Sequence, residues 1–100
     1  MADPKIPIPR ESLAAFCRRN HIRRLALFGS VLREDFTPES DVDVLVEFER
    51  GHVPGLAFFG LERELSELLG RKADLNTAGF LSRYIVDEVL AEAEDVYVAA

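Results

Sequence analysis

Two aspartates two positions apart, Asp41 and Asp43, follow the pair Gly29-Ser30 after an interval of ten residues. The run Asp41-Val42-Asp43-Val44-Leu45-Val46 is β-branched and apolar around its acids, which reads as a strand. Side chains at i and i+2 of a strand share a face, so both carboxylates project to one side. Two like charges that close repel, and either one keeps a proton or a cation sits between them. A hard divalent ion such as Mg²⁺ prefers oxygen ligands and leaves positions for substrate phosphates, and so answers that demand.

Gly29 and Ser30 supply the complementary half. Leu25-Ala26-Leu27-Phe28 is a short apolar run that reads as a buried strand. Gly29 then allows a sharp turn and leaves no side chain in a ligand's way. Ser30 is expected to begin a short helix whose free N–H groups and hydroxyl attract phosphate. Arg33, a turn further on, adds a charge-assisted contact to the same group. A phosphate cradle beside a carboxylate-bound metal is equipment for phosphoryl or nucleotidyl transfer. Asp74, in Lys72-Ala73-Asp74-Leu75, is a third candidate. If its strand lies beside the Asp41–Asp43 strand, it joins them on one face, as a metal ligand or a proton acceptor. The plainer alternative is a strand-end aspartate paired with Arg71 or Lys72.

These residues need elements to hold them. An extended N-terminal arm over 1–9, broken by prolines, leads into a helix near 10–20. Strands are expected near 24–28, 41–49 and 72–75. A turn with a short helix covers 29–34, and a loop 35–40. A break at 51–55 precedes a helix over 56–69 that stops at Gly70, and a last helix is expected at 82–93. The segment 96–98 trails off after it. Phe58 and Phe59 read as core, and Phe59 and Tyr97 are the candidates for a protein contact should they lie outside it. The order implies one small α/β (α+β) domain over 1–100, a mixed sheet of three or four strands flanked by helices.

Composition excludes several classes. One hundred residues with a formal net charge of −6 suit an ordinary globular domain. An acidic chain is poorly equipped to follow a polyanionic backbone, which disfavours direct nucleic-acid binding. One cysteine, Cys17, permits no internal disulfide, and no apolar run is long enough to span a membrane. The start lacks a signal-peptide core, so the expected location is cytoplasmic. His21 and His52 have no metal-ligand companions at suitable spacing. Arg18, Arg19, Arg23 and Arg24 read as solvated arginines around a helix end before they read as a partner-binding patch.

Leu27-Phe28-Gly29-Ser30, the Asp41-Val42-Asp43 pair and Asp74 resemble the polymerase beta-like nucleotidyltransferase superfamily. The short length and Ser40-Asp41-Val42-Asp43-Val44-Leu45-Val46-Glu47-Phe48 look like its minimal branch, the MNT-domain antitoxins of HEPN/MNT toxin–antitoxin pairs. The resemblance implies that Gly29 and Ser30 hold the triphosphate, with Arg33 and Ser40 beside them. It implies that Asp41 and Asp43 ligate one or two Mg²⁺ ions and that Asp74 is the third acid and metal ligand. Many relatives carry Ala-Arg-Gly after Gly-Ser, where Leu32-Arg33-Glu34 stands here. The implied activity is transfer of AMP from ATP to a tyrosine hydroxyl of a partner HEPN ribonuclease toxin, which inactivates it within a hetero-oligomer. The alternative is a non-catalytic antitoxin that neutralises the toxin by binding alone. A chain this short has little surface to enclose both nucleotide and acceptor, which favours a protein acceptor over a small molecule.

Overall fold

The computed structural model describes residues 6–34, 36–52, 54–81 and 83–99. Helix α1 (Arg10–Arg19) buries Leu13, Phe16 and Cys17, the residues of one face at helical spacing. Strand β1 (Ile22–Phe28) runs into a four-residue 3₁₀ turn, Gly29–Leu32, and β2 (Val42–Phe48) follows. Helix α2 (Phe58–Leu69) buries Leu61, Leu65 and Leu69, and Gly70 closes it as expected. Strand β3 (Ala73–Asn76), helix α3 (Val86–Glu92) and strand β4 (Glu94–Val98) complete the chain.

The strands form one mixed sheet in the order β3-β2-β1-β4. β1 is antiparallel to both of its neighbours, whereas β2 and β3 run parallel. A parallel pair needs a crossover, and α2 supplies it. The two sheet faces differ sharply. One carries Leu25, Leu27, Val42, Val44, Val46, Ala73 and Leu75, which join α1 and α2 in the main core. The other carries a small cluster, Ala26, Phe28 and Leu45, against Val89 of α3. A register shift between Ile22 and Arg24 lets Ile22 join Leu25 and Leu27 in the main core despite its odd spacing.

The outer edge of β3 is closed by side chains. The N–H of Ala73 donates to Ser66 Oγ (2.9 Å) and that of Leu75 to Glu62 Oε2 (2.8 Å). Both acceptors belong to α2, so the edge offers few free donors to another strand.

Several expectations need correction. The segment 96–98 does not trail off but lies within β4, which pairs with β1 from Arg24↔Val98 to Leu27↔Glu94. α3 is shorter than 82–93: residues 83–85 lie in turns, and the helix ends at Glu92 because Ala93 is extended (φ −59°, ψ 134°). The expected start of that helix, Ser82, lies outside the described residues, as does the arm over 1–5. Ile6 is buried and Ile8 packs on the core, so the arm beyond residue 5 is part of the domain. Phe58 packs on the core, but Phe59 is 69% exposed. Tyr97 is half-buried against the core. The arginine cluster is largely spent within the chain, with Arg19 on Glu64, Arg23 on Glu47 and Arg24 on Asp95. Among the described residues no helix is long and apolar enough to cross a membrane.

Candidate active site

The alternation of β2 decides where its acids point. Val42 and Val44 face the main core, so Asp43 faces the thinly covered side with Leu45. β3 repeats the pattern, with Ala73 and Leu75 inward and Asp74 outward. The parallel register sets Asp43 directly beside Asp74, and the antiparallel register on the other flank sets Asp43 beside Phe28. Asp41 precedes the strand by one residue and stays on the Asp43 side. The three acids therefore converge on one sheet face, next to the exit of β1.

That exit is where Gly29 stands, at φ +78°, a left-handed conformation in which a side chain is strained. Space forbids a side chain there as well. A Cβ on Gly29 would overlap Oδ2 of Asp43 and lie 3.3 Å from its Cγ. The glycine is thus a condition for the carboxylate to sit where it does.

Electrostatics reports the same convergence. Burial first, then the negative charges of Asp74 and Asp41, raise the Asp43 pKa above its ordinary value. The Arg33 guanidinium pulls it down and Glu92 adds a further upward push. Asp41 has Lys72 Nζ at 3.8 Å, a weak surface pair. The alternative partnering of Asp74 is not found: Lys72 turns to Asp41, and Arg71 stacks over Phe36 with an N–H toward the Thr37 carbonyl. The acidic face is left with repulsion that a cation would relieve.

Among the described residues no three His, Cys, Asp or Glu side chains form a ready-made metal cage. Asp41 and Asp43 beside Asp74 nonetheless fit a hard cation. Their donors are all carboxylate oxygens, the ligand type that such an ion prefers, and substrate phosphate oxygens would complete its coordination.

The phosphate side is built differently from the expectation. Residues 29–32 make a single 3₁₀ turn that begins at Gly29, closed by the Arg33 N–H on the Ser30 carbonyl at 2.9 Å. It offers fewer aligned donors than an α-helix start. The N–H of Gly29 donates to Glu92 Oε1 (3.1 Å), and Arg33 donates to Glu92 Oε2 (3.2 Å). Ser30 is half-buried at the turn. Ser40 is engaged in the loop: its Oγ accepts the Thr37 N–H at 3.0 Å and meets Thr37 Oγ1 at 3.1 Å. That bond shapes the approach to Asp41 and leaves the hydroxyl turned to its own loop.

Sequence reasoning missed Glu92. It lies 63 residues from Gly29, and no spacing signals the pairing, which follows only from β4 lying beside β1. It also missed the groove on the far flank of Asp74. This groove, of about 840 Å³, is lined by Phe48, Phe58, Phe59, Leu75 and Ala78 with Asp74 at its margin. Elsewhere, His21 and His52 stack at 4.0 Å between ring centroids, and among the described residues they belong to no group that could hold a metal.

Comparison with known proteins bears on the family and the fold. The profile of the nucleotidyltransferase domain family matches residues 10–96. The chain is 41% identical to the protein adenylyltransferase MntA of Thermococcus cleftensis over 78 residues, covering 77% of this chain and 75% of that protein. A solved structure, provisionally named a minimal nucleotidyltransferase, superposes with a TM-score of 0.71 at 35% identity, covering 85% of this chain and 86% of the other. The fold also matches an MNT antitoxin solved with a tri-AMPylated HEPN toxin of Shewanella oneidensis, with a TM-score of 0.64 at 20% identity over 90% and 70% of the two chains. The chain belongs to the nucleotidyltransferase domain family and is an enzyme of that class.

Proposed function

We propose that this protein is a Mg²⁺-dependent adenylyltransferase that moves AMP from ATP onto a tyrosine hydroxyl of a HEPN-type toxin, and thereby acts as its antitoxin. The observation that carries this reading is the convergence of Asp41, Asp43 and Asp74 on one sheet face beside a glycine that has no room for a side chain. The names of the relatives support the AMP-transferring, toxin-directed form of the activity.

In this reading the Gly29 N–H and Arg33 hold the β- and γ-phosphates at the exit of β1. Asp41 and Asp43 would hold the metal, which would neutralise charge on the phosphates when bound. The strand order then orders the reactants. The phosphate cradle lies on the β1 flank of Asp43, and Asp74 lies on its β3 flank. An acceptor hydroxyl entering from the β3 side meets Asp74 first, and the departing pyrophosphate lies opposite, as in-line displacement requires. Asp74 takes the hydroxyl proton, the oxygen bonds the α-phosphorus, and the bond from that phosphorus to the bridging oxygen breaks, releasing pyrophosphate. The apolar groove beyond Asp74, with exposed Phe59 and Leu56 near it, suits an acceptor delivered on a protein surface.

The test is transfer of label from α-³²P-ATP to the purified HEPN partner in Mg²⁺. Wild type should label the partner, and an Asp41→Asn/Asp43→Asn double variant should not. Equal labelling by the variant would sink the proposal. Neutralisation of the toxin by a variant that cannot label it would establish inhibition by binding alone.

A further inference from the structure

The contacts of Glu92 were not foreseen from sequence. Its carboxylate takes the two donors that the proposed mechanism assigns to phosphate, Oε1 on the Gly29 N–H and Oε2 on the Arg33 guanidinium. Carboxylate and phosphate satisfy such donors in the same way, two oxygens against a fork of N–H groups. We propose that Glu92 is a built-in anion that fills the phosphate seat and must leave it before a nucleotide can bind. The inference rests on the active-site reading given above and adds a regulatory device to it.

Three features make the carboxylate displaceable. Glu92 ends α3, and a helix C-terminus is unfavourable for an anion. It also lies close enough to Asp43 to repel it, and the hydrogen bonds that hold it among the described residues are those from the two borrowed donors. Its side chain is 38% exposed and can swing into solvent by rotation about its own bonds, with the backbone of α3 unmoved. A triphosphate brings more charge and more oxygens to the same donors than one carboxylate does. The seat therefore passes from Glu92 to the nucleotide, and the price is a lower apparent affinity.

If the seat is open only a tenth to a third of the time, apparent affinity falls by about three- to tenfold. The full chain and two variants, Glu92→Ala and Glu92→Asp, should be titrated with Mg²⁺–AMP-PNP and with inorganic triphosphate by calorimetry. Both variants should bind each probe about three- to tenfold more tightly than wild type. Glu92→Asp keeps the charge but shortens the reach, so its gain separates a filled seat from simple removal of a negative charge. It also decides the matter should Glu92→Ala fail to fold. Unchanged or weaker binding in Glu92→Asp overturns the inference and makes Glu92 a brace for Arg33. Absence of binding by wild type and variants alike overturns the active-site reading itself.

Discussion

Gly29→Ala tests whether the glycine and Asp43 truly compete for one space. The residue sits at φ +78°, and an L side chain in the left-handed region costs roughly 1–2 kcal/mol. The added Cβ also overlaps Oδ2 of Asp43, and a short side chain can escape that overlap only by turning. An off-rotamer turn adds about 0.5–1.5 kcal/mol, giving roughly 1.5–3.5 kcal/mol in all. For a domain of this size each kcal/mol lowers Tm by about 4–8 °C, so a fall of at least about 6 °C is expected in calorimetry. Gly51→Ala is the internal control. Gly51 has nearly the same backbone (φ +84°), yet nothing lies within 4 Å of its added Cβ, so only the strain applies. The overlap is isolated by a double-mutant cycle with Asp43→Ala, which removes the colliding atoms and should relieve about 0.5–1.5 kcal/mol of the Gly29→Ala cost. Partner labelling should meanwhile drop about a hundredfold, the usual consequence of moving a reacting group by an ångström. Strict additivity in the cycle, or full labelling by Gly29→Ala, would refute the shared space.

Asp43→Asn should make the metal-free protein more stable at pH 7. A carboxyl whose folded pKa is raised disfavours the fold once ionised, so wild type loses stability as pH rises from the unfolded value of 3.8 through the folded one. Asn escapes that loss; melting curves in EDTA should converge near pH 3 and separate above, and added Mg²⁺ should raise Tm for wild type alone. Phe59→Ser removes an aromatic ring that is 69% exposed, so Tm should move by less than about 3 °C while partner binding weakens by about tenfold or more, as read by surface plasmon resonance. Unaltered binding would place the partner elsewhere. Glu62→Ala leaves the Leu75 N–H without its acceptor and should cost about 1–3 kcal/mol in denaturant titration. A smaller loss would mean that water replaces the carboxylate at the sheet edge.

The legible part of the fold was the part governed by local periodicity. α1, α2 and β2 carry runs long enough for the 3.6- or 2-residue period to show, and Gly29, Asp41 and Asp43 lie in one short segment whose chemistry can be read without a fold. Asp74 needed one long-range assumption, that β3 lies beside β2, and the register bears it out. β4 was misread because Glu-Asp-Val-Tyr-Val is short, and its acids mask the alternation that pairing with β1 reveals. The α3 boundaries were misjudged because residues 83–85 turn before the helix and Ala93 is held extended against the small second cluster, a tertiary contact that no propensity expresses. Glu92 and Ser40 mark the same limit from two sides. One reaches the site only through the fold, and the other stands beside it in sequence yet spends its hydroxyl on Thr37.

The unequal faces of the sheet explain why so much like charge is tolerated at one spot. Dense packing of β1, β2 and β3 against α1 and α2 fixes the strands from one side, so the opposite face does not have to close over them. Among the described residues Ala26, Phe28, Leu45 and Val89 form the buried cluster there, while Asp43 is half-buried and Asp41 and Asp74 are exposed. Full burial would drive Asp43 to keep its proton, and full exposure would let water screen the repulsion that recruits a cation. Half-burial beside two further acids holds Asp43 between those limits, with a raised pKa and a repulsion that a bound cation would relieve. In the proposed reaction the same openness would leave the β3 flank accessible to an acceptor. A substitution that extends the second cluster across this face, such as Asn76→Leu beside Leu45, should therefore raise Tm while slowing transfer to the partner. A variant that gains stability at no loss of rate would break the link between the bare face and the chemistry.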